Sequence, residues 1–168
     1  MDQNQGINPL HPVNRALISL VLILAGWLAS GQTGRGTPQD AIKEVIKEAY
    51  VDGVFNEGNL RNIELGFSED FKMLSLENNK VKTISRSDWM QRVKANLAAG
   101  KYPPAAQERV RVDYLSVDVE GDVAVVKLRF YRGNKLEYID FITLYRFEEG
   151  WKLISKVYHK VPESQPRN

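Results

Sequence analysis

The chain of 168 residues is 43% hydrophobic and 26% charged, the composition of one ordinary globular domain with a single core. Its formal net charge of +2 comes from well-mixed acids and bases without a basic block, which argues against a nucleic-acid or other polyanionic partner. With no cysteine, the chain can form no disulfide, thiolate nucleophile or cysteine metal site.

Arg15 precedes an apolar run from Ala16 to Leu24 that continues to Ala29, with small residues Ser30 and Gly31 behind it. This layout predicts a secretory signal peptide over residues 1–31, and hence a periplasmic or secreted protein with no membrane contact after cleavage. The apolar run is short for a membrane span, and an uncleaved N-terminal anchor is the alternative. Leu28-Ala29-Ser30 is similar to the start of a lipoprotein site, but Gly31 stands where the lipid-accepting cysteine is required. Residues 32–36 are a small polar linker, and residues 161–168 are expected to be a flexible tail.

Thr37-Pro38-Gln39-Asp40 is a helix start, with threonine as cap, proline at the first position and an acid in the first turn. Ile42, Val45, Ile46, Ala49 and Gly53 follow helical spacing, so this helix is expected to run to near Gly58 with one face buried. Asn59 caps a short second helix ending at Gly66, and Phe71 to Glu77 alternates as a strand. Ser87-Asp88 opens a third helix with Trp89, Met90, Val93 and Leu97 on one side, closed by Gly100 and Pro103-Pro104.

From Glu108 to Lys160 the chain reads as four long strands divided at Gly121-Asp122, Gly133-Asn134 and Glu148-Glu149-Gly150. If the first two turns have two residues, Leu115, Val117, Val119, Ala124, Val126, Leu128, Phe130, Ile139, Phe141, Thr143 and Tyr145 share the core face. The outer face then carries Tyr114, Ser116, Asp118, Val123, Val125, Lys127, Arg129, Tyr138, Asp140, Ile142 and Leu144, with Lys127 opposite Asp140. A three-residue last turn adds Trp151, Leu153, Val157 and His159 to the core face and leaves Lys156 and Tyr158 outside. A two-residue turn would instead put Asp140 and His159 on one face.

Several segments carry a family likeness: Tyr50-Val-Asp-Gly on the first helix, Phe67-Ser-Glu-Asp-Phe entering the first strand, Ser87-Asp-Trp89, and Asp140-Phe-Ile-Thr-Leu running on to Gly150-Trp-Lys-Leu-Ile-Ser-Lys-Val-Tyr-His159. On these, residues 37–160 resemble the nuclear-transport-factor-2-like (NTF2-like) superfamily, which includes SnoaL-like and ketosteroid-isomerase-like proteins, and within it the putative lumazine-binding branch. The resemblance implies an α+β cone of three N-terminal helices packed on a curved antiparallel sheet, enclosing a pocket. It implies fold rather than activity, because the superfamily holds isomerases, cyclases, dehydratases and non-catalytic binders. Against ketosteroid isomerases, Tyr50 matches the helix tyrosine, but the base position falls near Ser75 and the second acid at Thr143. Two of three catalytic places are therefore empty.

Three functions are expected from these residues. A binding module would hold a small apolar or aromatic molecule between Tyr50, Ser75, Trp89, Phe141, Thr143, Ser155 and His159, with no cofactor and no metal. A proton-transfer enzyme would use His159 as acid or base and Tyr50 as oxyanion donor. A scaffold would act through the outer sheet face, where Tyr114, Val123, Val125, Ile142 and Leu144 form an apolar patch. Superfamily members often dimerise through that face, which implies a homodimer. One histidine in the mature chain with scattered acids gives no metal-ligand pattern, and no phosphate loop, GxSxG or HExxH motif is present.

Overall fold

A computed structural model describes residues 36–162, so the signal peptide, nearly all of the linker and most of the tail lie outside the described residues. The first helical segment starts as its sequence requires. Thr37 accepts a hydrogen bond from the Asp40 backbone N–H, and the Asp40 carboxylate accepts one in return from the Thr37 N–H, closing a capping box around Pro38. Helix α1 covers Pro38–Val45, but from Ile46–Asn56 the chain winds as a π-helix rather than continuing the expected α-helix. This widening changes which side chains stack. In an α-helix, residues five apart point about 140° away from each other. Under i→i+5 bonding they come round to the same side, and Phe55 lies edge-on to Tyr50 with ring centroids 5.3 Å apart.

Asn59 caps α2 (Leu60–Gly66) by accepting from the Asn62 N–H. Strand β1 (Phe67–Glu77) starts earlier than its alternation suggests and turns through Asn78 and Asn79, both at positive φ, into β2 (Lys80–Ser85), a strand that the sequence pattern does not announce. Helix α3 (Arg86–Ala98) is capped by Ser85 and Asp88, two residues earlier than the start at Ser87 implied. The meander completes the chain as β3 (Val110–Glu120), β4 (Val123–Arg132), β5 (Lys135–Phe147) and β6 (Gly150–Lys160).

The six strands form one sheet in the order β2-β1-β6-β5-β4-β3, with every pair antiparallel except β1 and β6. The helices cover its inner face, and the core is built from Ile42, Ile46, Ile63, Phe67, Phe71, Trp89, Val126, Leu128, Phe130, Ile142, Leu144 and Leu153, among others. Among the described residues no helix is long and apolar enough to cross a membrane.

Three β-bulges decide which residues face that core, and each reverses the side-chain phase of the strand beyond it. The Gly121-Asp122 turn has two residues as expected, since Glu120 pairs with Val123. Leu115 is then an extra residue in β3, so Val117 and Val119 pack inward while Leu115 is exposed and Tyr114 turns to the helices. The Gly133-Asn134 turn also holds, with Arg132 opposite Lys135, but Glu137 is extra in β5. Beyond it Tyr138, Asp140, Ile142 and Leu144 face inward, and Ile139, Phe141, Thr143 and Tyr145 face outward, the reverse of the expected assignment. Lys127 consequently lies opposite Phe141, not Asp140.

The last turn has two residues, Glu148-Glu149, with Phe147 opposite Gly150. Trp151 and Leu153 are buried as expected. Ile154 is the third extra residue, and past it Lys156 and Tyr158 point inward while Val157 and His159 point outward. The separation of Asp140 from His159 is therefore as expected, but each occupies the other's anticipated side.

Candidate functional site

The bulges at Glu137 and Ile154 bring two charged side chains into the core. Asp140 and Lys156 are 0% and 4% exposed, and they meet the hydroxyl of Tyr50, itself 0% exposed, from the π-helix. Tyr50 Oη donates to Asp140 Oδ2 at 2.7 Å, Lys156 Nζ lies 2.9 Å from the same oxygen, and Lys156 Nζ also donates to Tyr50 Oη. The second carboxylate oxygen, Asp140 Oδ1, is buried and accepts no hydrogen bond.

Aromatic rings enclose the three groups. The Lys156 ammonium sits 4.8 Å from the Tyr50 ring centroid, 5.1 Å from Tyr158 and 5.8 Å from Phe130 and Tyr138, within cation–π range of each. Trp89 stacks on Tyr50 at 5.7 Å with 10° between planes. Burial pushes the Tyr50 phenol well above its ordinary pKa, and the charge and hydrogen bond of Asp140 add to the shift. Desolvation holds the Lys156 ammonium below its ordinary value, with Asp140 opposing it.

Tyr50, Trp89, Phe130, Asp140 and Lys156 thus occupy the depth of the cone, and a hollow lies toward its mouth. There a cleft of about 370 Å³ is lined by Phe55, Trp89, Tyr102, Arg92, Lys101 and Arg132, with Val54, Val93, Asn96, Pro104 and Glu108 completing its wall. Tyr102 is held by a 2.6 Å hydrogen bond from its hydroxyl to the Val54 carbonyl. Gly58, at φ +68°, leaves room for the Tyr102 ring, because a Cβ there would stand 2.7 Å from it. Arg132 pairs with Glu137, the bulge residue, at 3.2 Å and lies over Phe55 and Phe130.

Of the anticipated ligand residues, Tyr50 and Trp89 come together inside the cone. Phe141, Thr143, Ser155 and His159 are on the opposite side of the sheet, where the Thr143 and Ser155 hydroxyls hydrogen-bond each other at 2.7 Å. Ser75 is half-buried on β1 and bonds to Glu77. Because His159 and Tyr50 occupy different faces, they cannot approach one ligand atom as an acid–base pair. Asp140, not Thr143, is the inward acid of β5. The anticipated outer patch keeps Val123 and Val125 but loses Tyr114, Ile142 and Leu144 to the core; the Tyr114 hydroxyl donates to the Lys43 carbonyl at 3.0 Å. Among the described residues no group of three or more His, Asp or Glu side chains is placed to hold a metal ion.

Sequence reasoning missed Lys156 and, in the cleft, Phe55, Arg92, Lys101, Tyr102 and Arg132 as site residues. Lys156 carried one signal, a lone charge in the otherwise apolar or uncharged run Leu153-Ile-Ser-Lys-Val-Tyr158, which an unbroken alternation assigns to solvent.

Three helical segments laid across a curved, open sheet, with their hollow between helices and sheet mouth, define an NTF2-like α+β fold. Solved structures agree. An NTF2-like protein of unknown function from Shewanella baltica superposes with a TM-score of 0.59 at 19% identity, covering 77% of this chain and 100% of its own. One from Silicibacter pomeroyi gives 0.57 at 20% identity over 73% and 94% of the two chains. A third, from Cytophaga hutchinsonii, gives 0.55 at 13% identity over 75% and 100%. The chain itself belongs to the family described as "Putative lumazine-binding", whose model matches residues 37–159. No curated protein matches it significantly in sequence.

Proposed function

We propose that the protein is an exported, dimeric module that binds a small, flat aromatic molecule bearing carbonyl or carboxylate groups at the mouth of its cone. The cleft beside Trp89 carries this reading. Its Phe55, Trp89 and Tyr102 rings offer stacking surfaces, and Arg92 and Lys101 stand with Arg132, itself paired with Glu137, so that cations outnumber the Glu108 carboxylate in its wall. The family description fits this ligand class, since lumazine is a fused heterocycle with two ring carbonyls. Export rests on the apolar run after Arg15, and dimerisation on the exposed Val123, Val125, Phe141, Tyr145 and Val157 of the outer sheet face.

Titration of the protein with lumazine, followed by tryptophan fluorescence, tests the cleft. Saturable binding is expected, weakened roughly tenfold or more in Arg92→Glu and in Tyr102→Ala, a change of about 1.4 kcal/mol. Absence of saturation, or affinity unchanged in both variants, refutes the assignment.

The filled interior favours a second reading, an interaction domain that works through its sheet face and takes no ligand. Val125→Lys places a charge at the centre of that face and is expected to convert dimer to monomer in sedimentation velocity. An unchanged sedimentation coefficient for the variant counts against an interface there.

A further inference from the structure

The mouth cleft and the buried triad are separated by one layer of rings. Phe55 and Trp89 line the cleft, and the same two rings pack on Tyr50 at centroid distances of 5.3 and 5.7 Å. Phe130 has the Arg132 guanidinium of the cleft wall at 5.9 Å and the Lys156 ammonium at 5.8 Å. The Tyr50 hydroxyl leads on to Asp140, whose Oδ1 is a buried carboxylate oxygen with no donor, in a network whose other members are all paired. Buried acceptors are rarely left so, and such an oxygen is ordinarily satisfied by a water, an ion or a ligand donor. Phe55 is only half-buried and sits at the penultimate position of the π-helix, a backbone form concentrated at functional sites.

We propose that the triad is the inner, specificity-determining end of the cleft: Phe55 is a movable partition, and a bound ligand displaces it and donates a hydrogen bond to Asp140 Oδ1. This inference rests on the reading of the cleft as a ligand site and adds to it the chemistry of the ligand's inner edge. That edge carries an N–H or O–H, because the free group is an acceptor. Lys156 and Tyr50 hold the other oxygen, so the carboxylate is fixed in place to receive the donor. The outer edge is electron-rich and faces Arg92, Lys101 and Arg132. The ligand class is therefore a planar heterocycle with a ring N–H at one end and carbonyl or carboxylate oxygens at the other.

Lumazine and 1,3-dimethyllumazine share the ring system and carbonyls, but the second has no N–H in its dione ring. Full-length protein is expected to bind lumazine at least tenfold more tightly than the dimethyl compound. In the double variant Asp140→Leu/Lys156→Met, which removes the acceptor without stranding a charge, that preference is expected to vanish. Phe55→Ala is expected to speed lumazine association several-fold in stopped-flow fluorescence. Equal affinity of the wild-type protein for the two compounds overturns the inference while leaving the cleft reading intact. So does a preference that survives in the double variant. Failure of both compounds to bind overturns the cleft reading and the inference with it, and an association rate unchanged by Phe55→Ala overturns the role given to that ring.

Discussion

Removing the amine of Lys156 should be among the most damaging single changes in the core, and its cost can be worked out from the geometry. Lys156→Met leaves Asp140 fully buried, with Oδ2 reduced from two donors to one and Oδ1 still without any. Breaking a buried ion pair in this way costs about 3–5 kcal/mol, because the surviving charge is uncompensated. That is a large share of the about 5–15 kcal/mol by which a domain is stable. Asp140→Leu strands the ammonium and should cost a similar amount. Tyr50→Phe leaves the 2.9 Å pair intact and removes only charge-assisted hydrogen bonds, so about 1.5–3 kcal/mol is expected. The double change Asp140→Leu/Lys156→Met removes both charges and should recover most of the loss, since apolar replacements of buried pairs are often neutral or stabilising. Urea denaturation followed by tryptophan fluorescence measures all four variants against the wild type. The reasoning is refuted if Lys156→Met costs less than about 1 kcal/mol, the value of a solvated pair, or if the two single losses simply add in the double variant.

The titration behaviour of the same groups predicts a bend in stability against pH. Between the lowered pKa of folded Lys156 and its ordinary 10.5, the unfolded chain holds the extra proton, so this contribution rises with pH. Above the ordinary tyrosine value of 10.0 the unfolded chain loses the Tyr50 proton and the folded chain keeps it. Stability then falls by up to about 1.4 kcal/mol per pH unit for that group. Urea midpoints across pH 9 to 11.5 should fall less steeply above pH 10 in Tyr50→Phe than in the wild type; identical slopes would show that the phenol is not held protonated. Asn56 gives a prediction away from the triad. Its amide donates to the Val110 carbonyl at 2.9 Å and accepts from the Val110 N–H at 2.8 Å, tying the end of the π-helix to β3. Asn56→Ala should cost about 2–4 kcal/mol by leaving both buried backbone groups unpaired, and a loss under about 0.5 kcal/mol would show that they find other partners.

The parts of the fold legible in the sequence were those set by local chemistry. Thr37 with Asp40, Asn59, and the glycine turns at Gly121 and Gly133 each satisfy a backbone requirement that neighbouring residues alone can meet, and each stands where its sequence places it. Trp89 was legible as an inward aromatic because helix spacing fixes a face over a few residues, whereas Tyr50, in the π-helix, was named through the family resemblance. Strand β2 was not, because Lys80-Val-Lys-Thr-Ile-Ser85 is an exposed edge strand whose side chains bear little burial pattern. The facing of β5 and β6 was also out of reach. An inserted residue reverses a strand's phase without changing its composition, and only the register of the neighbouring strand reveals it.

The same insertions are what create the candidate site. Without the extra Glu137, Asp140 would lie on the solvated face beside Lys127, and without Ile154, Lys156 would lie outside with its charge in water. Either arrangement would be easier to stabilise than two desolvated charges beside an oxygen that lacks a donor. Glu137 is also held by Arg132 at 3.2 Å, and Arg132 is a wall of the cleft, so the residue that turns Asp140 inward also anchors a cation at the mouth. Bulges that re-aim side chains are concentrated next to binding and active sites. Two of them converging with a π-helix on one tyrosine, one aspartate and one lysine make the arrangement that the proposed ligand contact at Asp140 requires.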